Sequence, residues 1–213
     1  MQDKTQAAVA IFNRLADVYQ NKYMDQSLYH DTFDFFCKNI AAQNPNVLEI
    51  ACGPGNITQY LLKVRPDLQI FGIDLAPNMI ELAKQNNPTA HFEVMDAKTI
   101  GQLPQKYHAI MCGFCLPYLN KMEALQLIQD AVQILLPGGT IYLSTMENDY
   151  DKSAIQRAST GDEMFIHFHE AAYLIPALEE NGFSILDVQR KVYPDGNGNE
   201  TIDLVLIARL ETL

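Results

Sequence analysis

"VLEIACGPGN", residues 47–56, sets a run of largely apolar residues directly ahead of a turn that holds two glycines and a proline. A short apolar run bounded by turn residues reads as a buried strand. Glycine adopts backbone angles closed to other residues and leaves room for a group to lie against the main chain. The turn therefore either rounds a corner into a helix or brings a ligand to the backbone, and the flanking sequence has to choose.

Downstream, the pattern alternates. A helix is expected over 56–64, a strand over 69–73, a helix starting near Pro77, and further strands over 91–95 and 108–112. The next helix carries Met122, Leu125, Ile128, Val132 and Leu135 on one face, and "LPGG" at 136–139 ends it and opens a strand over 140–144. Strands apolar on both sides, alternating with helices, imply an α/β fold with a mostly parallel sheet covered by helices. A helix over 170–181 should kink at Pro176 and stop at Gly182. "FSILDVQRKVY" and "TIDLVLIARL" flank "PDGNGNE", and strands joined so briefly must pair antiparallel.

Upstream, Ala8, Phe12, Leu15, Tyr19 and Tyr23 recur at helical spacing, and Phe33, Phe36, Cys37 and Ile40 mark a second helix that stops before "NPN" at 44–46. Residues 1–45 are thus a helical lid or cap, or a packing layer on the sheet edge, joined to a ligand-binding domain over 46–213. Tyr19 and Tyr23 either close over the ligand or are plain packing.

Composition narrows the ligand. The chain has 213 residues and a formal net charge of −11, with no apolar run long enough to cross a bilayer and no basic-then-apolar leader in "MQDKTQ". A cytoplasmic location is the expectation. The acid excess opposes phosphate-backbone binding, so no nucleic-acid partner is expected and a small molecule fits better. Cys37, Cys52, Cys112 and Cys115 are expected as reduced thiols. "CGFC" at 112–115 has CxxC spacing and Cys52 lies near it in an α/β fold, but a structural zinc site wants a fourth ligand. No metal is expected.

Ligands of open parallel sheets sit beyond the carboxyl ends of the strands. Three carboxylates gather there around the glycine turn: Glu49 within the first strand, Asp74 ending the second and Asp96 ending the third. The dinucleotide fingerprint wants a third glycine where Thr58 stands, and the ATP loop wants a Gly-Lys-Ser/Thr that is absent. A pyrophosphate would also be repelled by Glu49. A positively charged adenosine compound without phosphate is the better electrostatic match, a description that fits S-adenosylmethionine.

"VLEIACGPGNIT", "IFGIDLAPNMIELA", "HFEVMDA" and "LLPGGTIYLS" together resemble the successive motifs of the class I S-adenosylmethionine-dependent methyltransferases, in their small-molecule branch. The resemblance covers roughly residues 46–210. It implies a Rossmann-like three-layer sandwich with a seven-stranded sheet whose last strand is antiparallel. It also implies roles: Glu49 and the backbone of Ala51, Cys52, Gly53 and Gly55 for the methionine part, Asp74 for the ribose, Leu75 and Met79 for the adenine, Asp96 and Ala97 for its amino group. "CGFCLPY", with Phe114 and Cys115, would flank the cofactor and face the acceptor. Two departures stand out. Ala51 occupies the usual first glycine, and "LPY" at 116–118 lacks the polar residue of enzymes that methylate exocyclic amino groups.

The acceptor side is less legible. A base is needed only where the attacking atom holds a proton. His167, His169 and Tyr150 are the candidates after the fifth strand, beside Met146, Glu147 and Asn148, and the two histidines equally read as one face of a short extended segment. His91 and His108 fall at the wrong end of the sheet, and His30 is expected to face solvent. The function implied is methyl transfer to an unidentified small-molecule acceptor. The alternative is a non-catalytic S-adenosylmethionine-binding sensor or assembly protein.

Overall fold

The computed structural model describes residues 4–157, 161–194 and 200–212. The strands are β1 (Asn46–Ile50), β2 (Gln69–Asp74), β3 (His91–Val94), β4 (Tyr107–Cys112), β5 (Leu135–Glu147), β6 (Ala154–Arg157), β7 (Glu163–Ile166), β8 (Phe183–Pro194) and β9 (Glu200–Leu210). The helices are α1 (Lys4–Arg14), α2 (Ala16–Tyr23), α3 (His30–Lys38), α4 (Asn56–Val64), α5 (Pro77–Asn86), α6 (Lys121–Ile134) and α7 (Ala171–Glu180). Seven strands form one sheet in the order β3-β2-β1-β4-β5-β9-β8. β1 to β5 run parallel, and β9 is antiparallel to both of its neighbours. The order reverses between β1 and β4, so the loops after those two strands diverge and leave a crevice, the usual ligand position in such sheets.

Both faces of the sheet are dry. Leu48, Ile50, Ile110 and Leu143 point to one side with α6 and α7, while Val47, Met111, Tyr142 and Ile207 point to the other with α3 and α4. That two-sided burial is why β4 reads as an almost unbroken apolar run. Pro77 occupies the first turn of α5, and Gly182, at φ +83°, ends α7 as expected. His91 and His108 do lie at the amino ends of their strands; His91 bonds Glu93, and His108 Nδ1 accepts from the Asn46 N–H at 3.0 Å. The connection between β8 and β9 falls largely on residues 195–199, outside the described residues.

Several local expectations need correction. The first helix is two: Leu15, at φ −104° and ψ 20°, separates α1 from α2. α6 turns a different face to the sheet, burying Ala124, Leu127, Ile128, Ala131 and Ile134, while Met122 is 81% exposed. A pattern keyed to large apolar residues overlooks the alanines that let this helix approach closely. β5 begins at Leu135, so "LPGG" lies inside the strand, with a register shift against β4. Pro176 sits within α7, which remains one element through Glu180. The ribbon β6–β7 is a further two-stranded sheet.

The N-terminal segment also divides. α3 belongs to the core: Phe33, Phe36 and Cys37 are buried against β4, β5 and α4. His30 stacks on Tyr60 with ring centroids 3.9 Å apart. Only α1 and α2 lie over the carboxyl rim. Asn13 bonds Asn78 on α5 twice, at 2.7 and 2.8 Å, and Lys4 Nζ sits 3.3 Å above the Phe165 ring on β7. Arg14 pairs with Asp162.

Candidate functional site

The crevice at the β1/β4 reversal holds a cleft of about 800 Å³, its open mouth included. Its floor is the ends of β1 to β4 with the loops after them: Ala51, Gly53, Asp74, Asp96, Gly113, Phe114 and Cys115. Leu75, Met79 and Ala97 line its sides. Its roof is α1 and α2, through Thr5, Ala8, Val9, Phe12 and Tyr19. Among the described residues, no Lys or Arg side chain lines the cleft.

The two glycines do different jobs. Gly53 has φ +54°, and a Cβ built there would meet only Tyr19 Cε1, at 3.8 Å. Its open side is the cleft. Gly55, at φ +79°, is the N-cap of α4, and a Cβ there would fall 2.3 Å from Asn87 Nδ2 and 3.3 Å from Ala83 Cα. Gly55 is glycine because α5 crowds it, and it does not line the cleft. Ala51 takes φ +55° without being glycine, a conformation costing roughly 1–2 kcal/mol.

The acids are held by main-chain donors. Asp74 Oδ2 accepts from Gly53 N–H at 3.0 Å and Oδ1 from Ala76 N–H at 2.8 Å. Each oxygen keeps lone pairs for a further donor. Burial raises the Asp74 pKa against these bonds. Asp96 caps the short 3-10 helix Ala97–Gln102 after β3, accepting from Lys98 N–H at 2.9 Å, and Lys98 Nζ lies 3.9 Å from its carboxylate. Glu49 sits beneath the loop, 1% exposed. Its Oε2 accepts from the Thr58 hydroxyl, while its Oε1 is buried with no partner. Burial pushes this carboxyl up to about 8, with Thr58 opposing. Thr58, which breaks the dinucleotide fingerprint, is thus the partner that a buried Glu49 requires.

The remaining expected residues scatter. Tyr19 lines the cleft in an aromatic row with Phe12 and Tyr118, centroids 5.7 and 5.1 Å apart. Tyr23 packs on Tyr19 from outside the lining. Cys52 is buried under the loop against Ile80, Ala83 and Phe92, and burial holds its thiol far above the usual range. Cys115 is hydrogen-bonded to Cys112, which raises its pKa, and reaches the cleft. All four cysteines are free and buried, and no group of three or more His, Cys, Asp and Glu side chains arranged for a metal occurs among the described residues.

His167, His169 and Tyr150 do not line the cleft. His169 is fully buried; its Nε2 reaches the Leu116 and Leu119 carbonyls at 2.8 and 3.1 Å, and its Nδ1 meets the Tyr173 hydroxyl. Carbonyls only accept, so Nε2 carries the proton and Nδ1 accepts from Tyr173. Burial lowers this imidazole to about 4. His169 therefore fastens the turn at 116–118, a wall of the cleft, to α7. Tyr150 Oη lies 3.3 Å from His167 Nδ1 and accepts from Lys121 N–H. Glu147 pairs with Arg190 in a separate cleft that includes Met146 and Asn148. Sequence reasoning named Tyr19 and Tyr23 for a helical lid but none of the α1 residues that line the cleft, Thr5, Ala8, Val9 and Phe12, whose small and mixed side chains carry no motif.

Residues 47–139 match the family model described as a methyltransferase domain. A putative methyltransferase of Invertebrate iridescent virus 6 is 36% identical over 83 residues, covering 39% of this chain and 31% of that one. A malonyl-[acyl-carrier protein] O-methyltransferase of Ilyobacter polytropus is 29% identical over 140 residues, covering 64% of this chain and 51% of that one. The chain spans at most about half the length of these curated relatives. Magnesium protoporphyrin IX methyltransferase from Synechocystis, solved with bound S-adenosylmethionine, superposes with a TM-score of 0.73 at 18% identity, covering 100% of this chain and 99% of that one. The segment over 47–139 is a methyltransferase domain, and the fold is that of the class I S-adenosylmethionine-dependent methyltransferases. The cofactor of that class fits the cleft on physical grounds. The half-satisfied Asp74 suits a diol, the bare main chain at Gly53 admits close approach, and the orphaned Glu49 oxygen suits a cation. A lining without Lys or Arg suits a ligand without phosphate.

Proposed function

We propose that this protein transfers the methyl group of S-adenosylmethionine to a small-molecule acceptor. The observation that carries the reading is Asp74, latched by Gly53 and Ala76 N–H groups at the floor of a cleft without cationic side chains. In this reading Asp74 takes the ribose hydroxyls, and the main chain from Ala51 to Gly53 takes the methionine part, with Glu49 behind it. Leu75 and Met79 hold the adenine, and Asp96 and Ala97 reach its amino group. Tyr19, Phe114 and Cys115 flank the reacting end. The cofactor, when bound, supplies a methyl group already activated by its sulfonium. The chain's own task is alignment and water exclusion, which the aromatic roof supports. The relative named for malonyl-[acyl-carrier protein] and the neighbour named for magnesium protoporphyrin IX support an acceptor other than nucleic acid.

Calorimetry with S-adenosylmethionine and S-adenosylhomocysteine tests the cofactor, and a trideuteromethyl donor added with a metabolite extract tests the transfer. Absence of binding sinks the reading. Binding without a labelled product selects the second one, a non-catalytic sensor or assembly protein. One feature favours that second reading: no histidine lines the cleft among the described residues.

A further inference from the structure

The cofactor reading uses the floor and sides of the cleft and leaves one end of it unassigned. Beyond Cys115 the lining passes to α1 and to the 3-10 turn Leu116–Tyr118, through Thr5, Ala8, Val9, Phe12, Tyr118 and Leu119. Buried carbonyls need donors, and every carbonyl of this stretch has one. Leu116 takes the Leu119 N–H at 2.9 Å and shares His169 Nε2–H with Leu119, at 2.8 and 3.1 Å. Pro117 accepts from the His167 N–H at 2.8 Å, and Tyr118 from the Thr5 hydroxyl at 3.3 Å. The main chain of this wall is therefore fixed and has no unmet carbonyl to offer a ligand.

What the wall does offer is the Tyr118 hydroxyl. The Tyr118 ring meets Phe12 edge-on at 5.1 Å, and the phenol lies close enough to Tyr19, Cys115 and Asp74, which all line the cleft, for their charges to interact. No described residue hydrogen-bonds that oxygen, yet it is not sealed in the protein as Glu49 Oε1 is, so it opens into the cleft. Burial holds the phenol far above its ordinary range, so it is neutral and removes no proton. The Tyr19 phenol and the Cys115 thiol are raised too, the first by burial and the second by its bond to Cys112. Asp74 and Asp96 serve the cofactor in the proposed reading. Asp203, behind Phe114, is buried with its carboxylate already taken by the Tyr29 hydroxyl at 2.6 Å. Among the described residues no His, Lys or Arg side chain lines the cleft. This end therefore has apolar walls, one open hydroxyl, no base, and no cation to hold an anion.

We infer that the methyl acceptor is a flat, uncharged heterocycle that packs against Val9, Phe12 and Leu119, attacks through a ring nitrogen, and accepts the Tyr118 hydroxyl on a second polar ring atom. The inference rests on the proposed methyl transfer and deepens it. An alcohol or an ammonium would first have to shed a proton, and a carboxylate or phosphate would be buried without a counter-charge. A ring nitrogen arrives with its lone pair free. That pair forms the new bond to the methyl carbon, the carbon–sulfur pair stays on sulfur, and the positive charge passes from sulfur to the ring. No proton moves in the step, so a cleft without a base is sufficient for it. Aromatic walls suit the cationic ring that results. Tyr118 is the residue that touches the acceptor and selects it.

The test uses three bicyclic probes, 6-fluoroquinoxaline, 2-fluoronaphthalene and 6-fluoro-2-naphthoate, titrated by fluorine NMR into protein saturated with S-adenosylhomocysteine. The quinoxaline should bind about tenfold or more tightly than the naphthoate, whose charge finds no partner. Tyr118→Phe removes only the hydroxyl and should weaken the quinoxaline about two- to tenfold, the worth of one neutral hydrogen bond, without changing the naphthalene. A merely structural role for Tyr118 would move the two neutral probes together. Phe12→Ala should weaken both of them, because it removes a wall they share. Naphthoate binding as tightly as quinoxaline, no probe binding, an equal or absent effect of Tyr118→Phe on the two neutral probes, or an unaffected Phe12→Ala would each overturn the inference. Failure of S-adenosylhomocysteine to bind the unaltered protein would instead sink the proposed function.

Discussion

At the residue scale the glycine loop separates two constraints that one motif conceals. Gly53→Ala meets open space apart from Tyr19, so its stability cost is the left-handed angle alone, about 1–2 kcal/mol, while its methyl enters the cleft. Gly55→Ala adds a collision with Asn87 and Ala83 to the same angle, and overpacking contributes roughly a further 1–3 kcal/mol. Denaturation and S-adenosylhomocysteine calorimetry should therefore rank the two oppositely, Gly53→Ala losing more affinity and Gly55→Ala more stability. Glu49 carries a pH signature. Its carboxyl is raised from 4.5 to about 8, so the folded protein holds that proton more tightly than the unfolded chain. The stabilisation is fully present below about pH 4.5 and is lost as pH rises through about 8. Asp203 and Asp74 shift in the same direction, so Glu49→Gln should flatten the decline in urea midpoint between pH 5 and 8.5 without abolishing it. An unchanged slope would mean that Glu49 is ionised in the folded state. Glu49 and Asp74 were legible in the sequence because an acid at the end of a buried strand needs a reason. Asp203 was not, because nothing along the chain announces that Tyr29 will arrive to meet it.

At the scale of elements, legibility followed the strength of the local signal. The parallel strands are short apolar runs punctuated by Gly, Pro and Asn, and the final hairpin could close only one way. Packing decided the rest. Leu15 interrupts a helix that the stripe from Ala8 to Tyr23 predicts as continuous, and that stripe is only partly buried because it roofs a cleft. β6 and β7 are four-residue strands whose pairing runs from Ala154–Ile166 to Arg157–Glu163, too short for alternation to register. His169 shows how such segments are anchored. Removing its imidazole takes the donor from the Leu119 carbonyl, an unmet group costing about 1–3 kcal/mol, and leaves the Leu116 carbonyl with the Leu119 N–H alone, at 2.9 Å. Its pKa is lowered from 6.5 to about 4, so the unfolded chain binds the proton more readily. Its contribution is present above pH 6.5 and is lost as pH falls through about 4. His169→Gln should lower the melting temperature at pH 7 and shrink the difference from the unaltered protein as the pH approaches 4. A constant difference across that window would assign the histidine a packing role alone.

At the scale of the whole molecule, the cleft and its roof set a problem of access. α1 and α2 cover the carboxyl rim, while α3 is built into the core through Phe33 and Phe36. The contacts that tie α1 and α2 down include one cation–π contact, one surface ion pair, the two Asn13–Asn78 bonds, the Thr5 bond to the Tyr118 carbonyl, and bonds from Asn56 to the Tyr23 carbonyl and from Asn86 to Gln20. Their apolar contacts centre on a small cluster of Ala16, Ala76 and Met79, separate from the clusters on the two faces of the sheet. A segment held outside the main core in this way should open locally before the domain unfolds, as a lid must. Hydrogen exchange should show it. In the free protein, amides of Lys4–Arg14 and Ala16–Tyr23 should exchange faster than those of His30–Lys38, and S-adenosylhomocysteine should slow the first two by about tenfold or more through the linkage of binding to closure, leaving the third nearly unchanged. Equal protection of all three helices before and after ligand would make the roof a rigid layer and require another route into the cleft. Protection gained across His30–Lys38 as well would extend the moving element to the whole N-terminal segment, despite the burial of its aromatic residues.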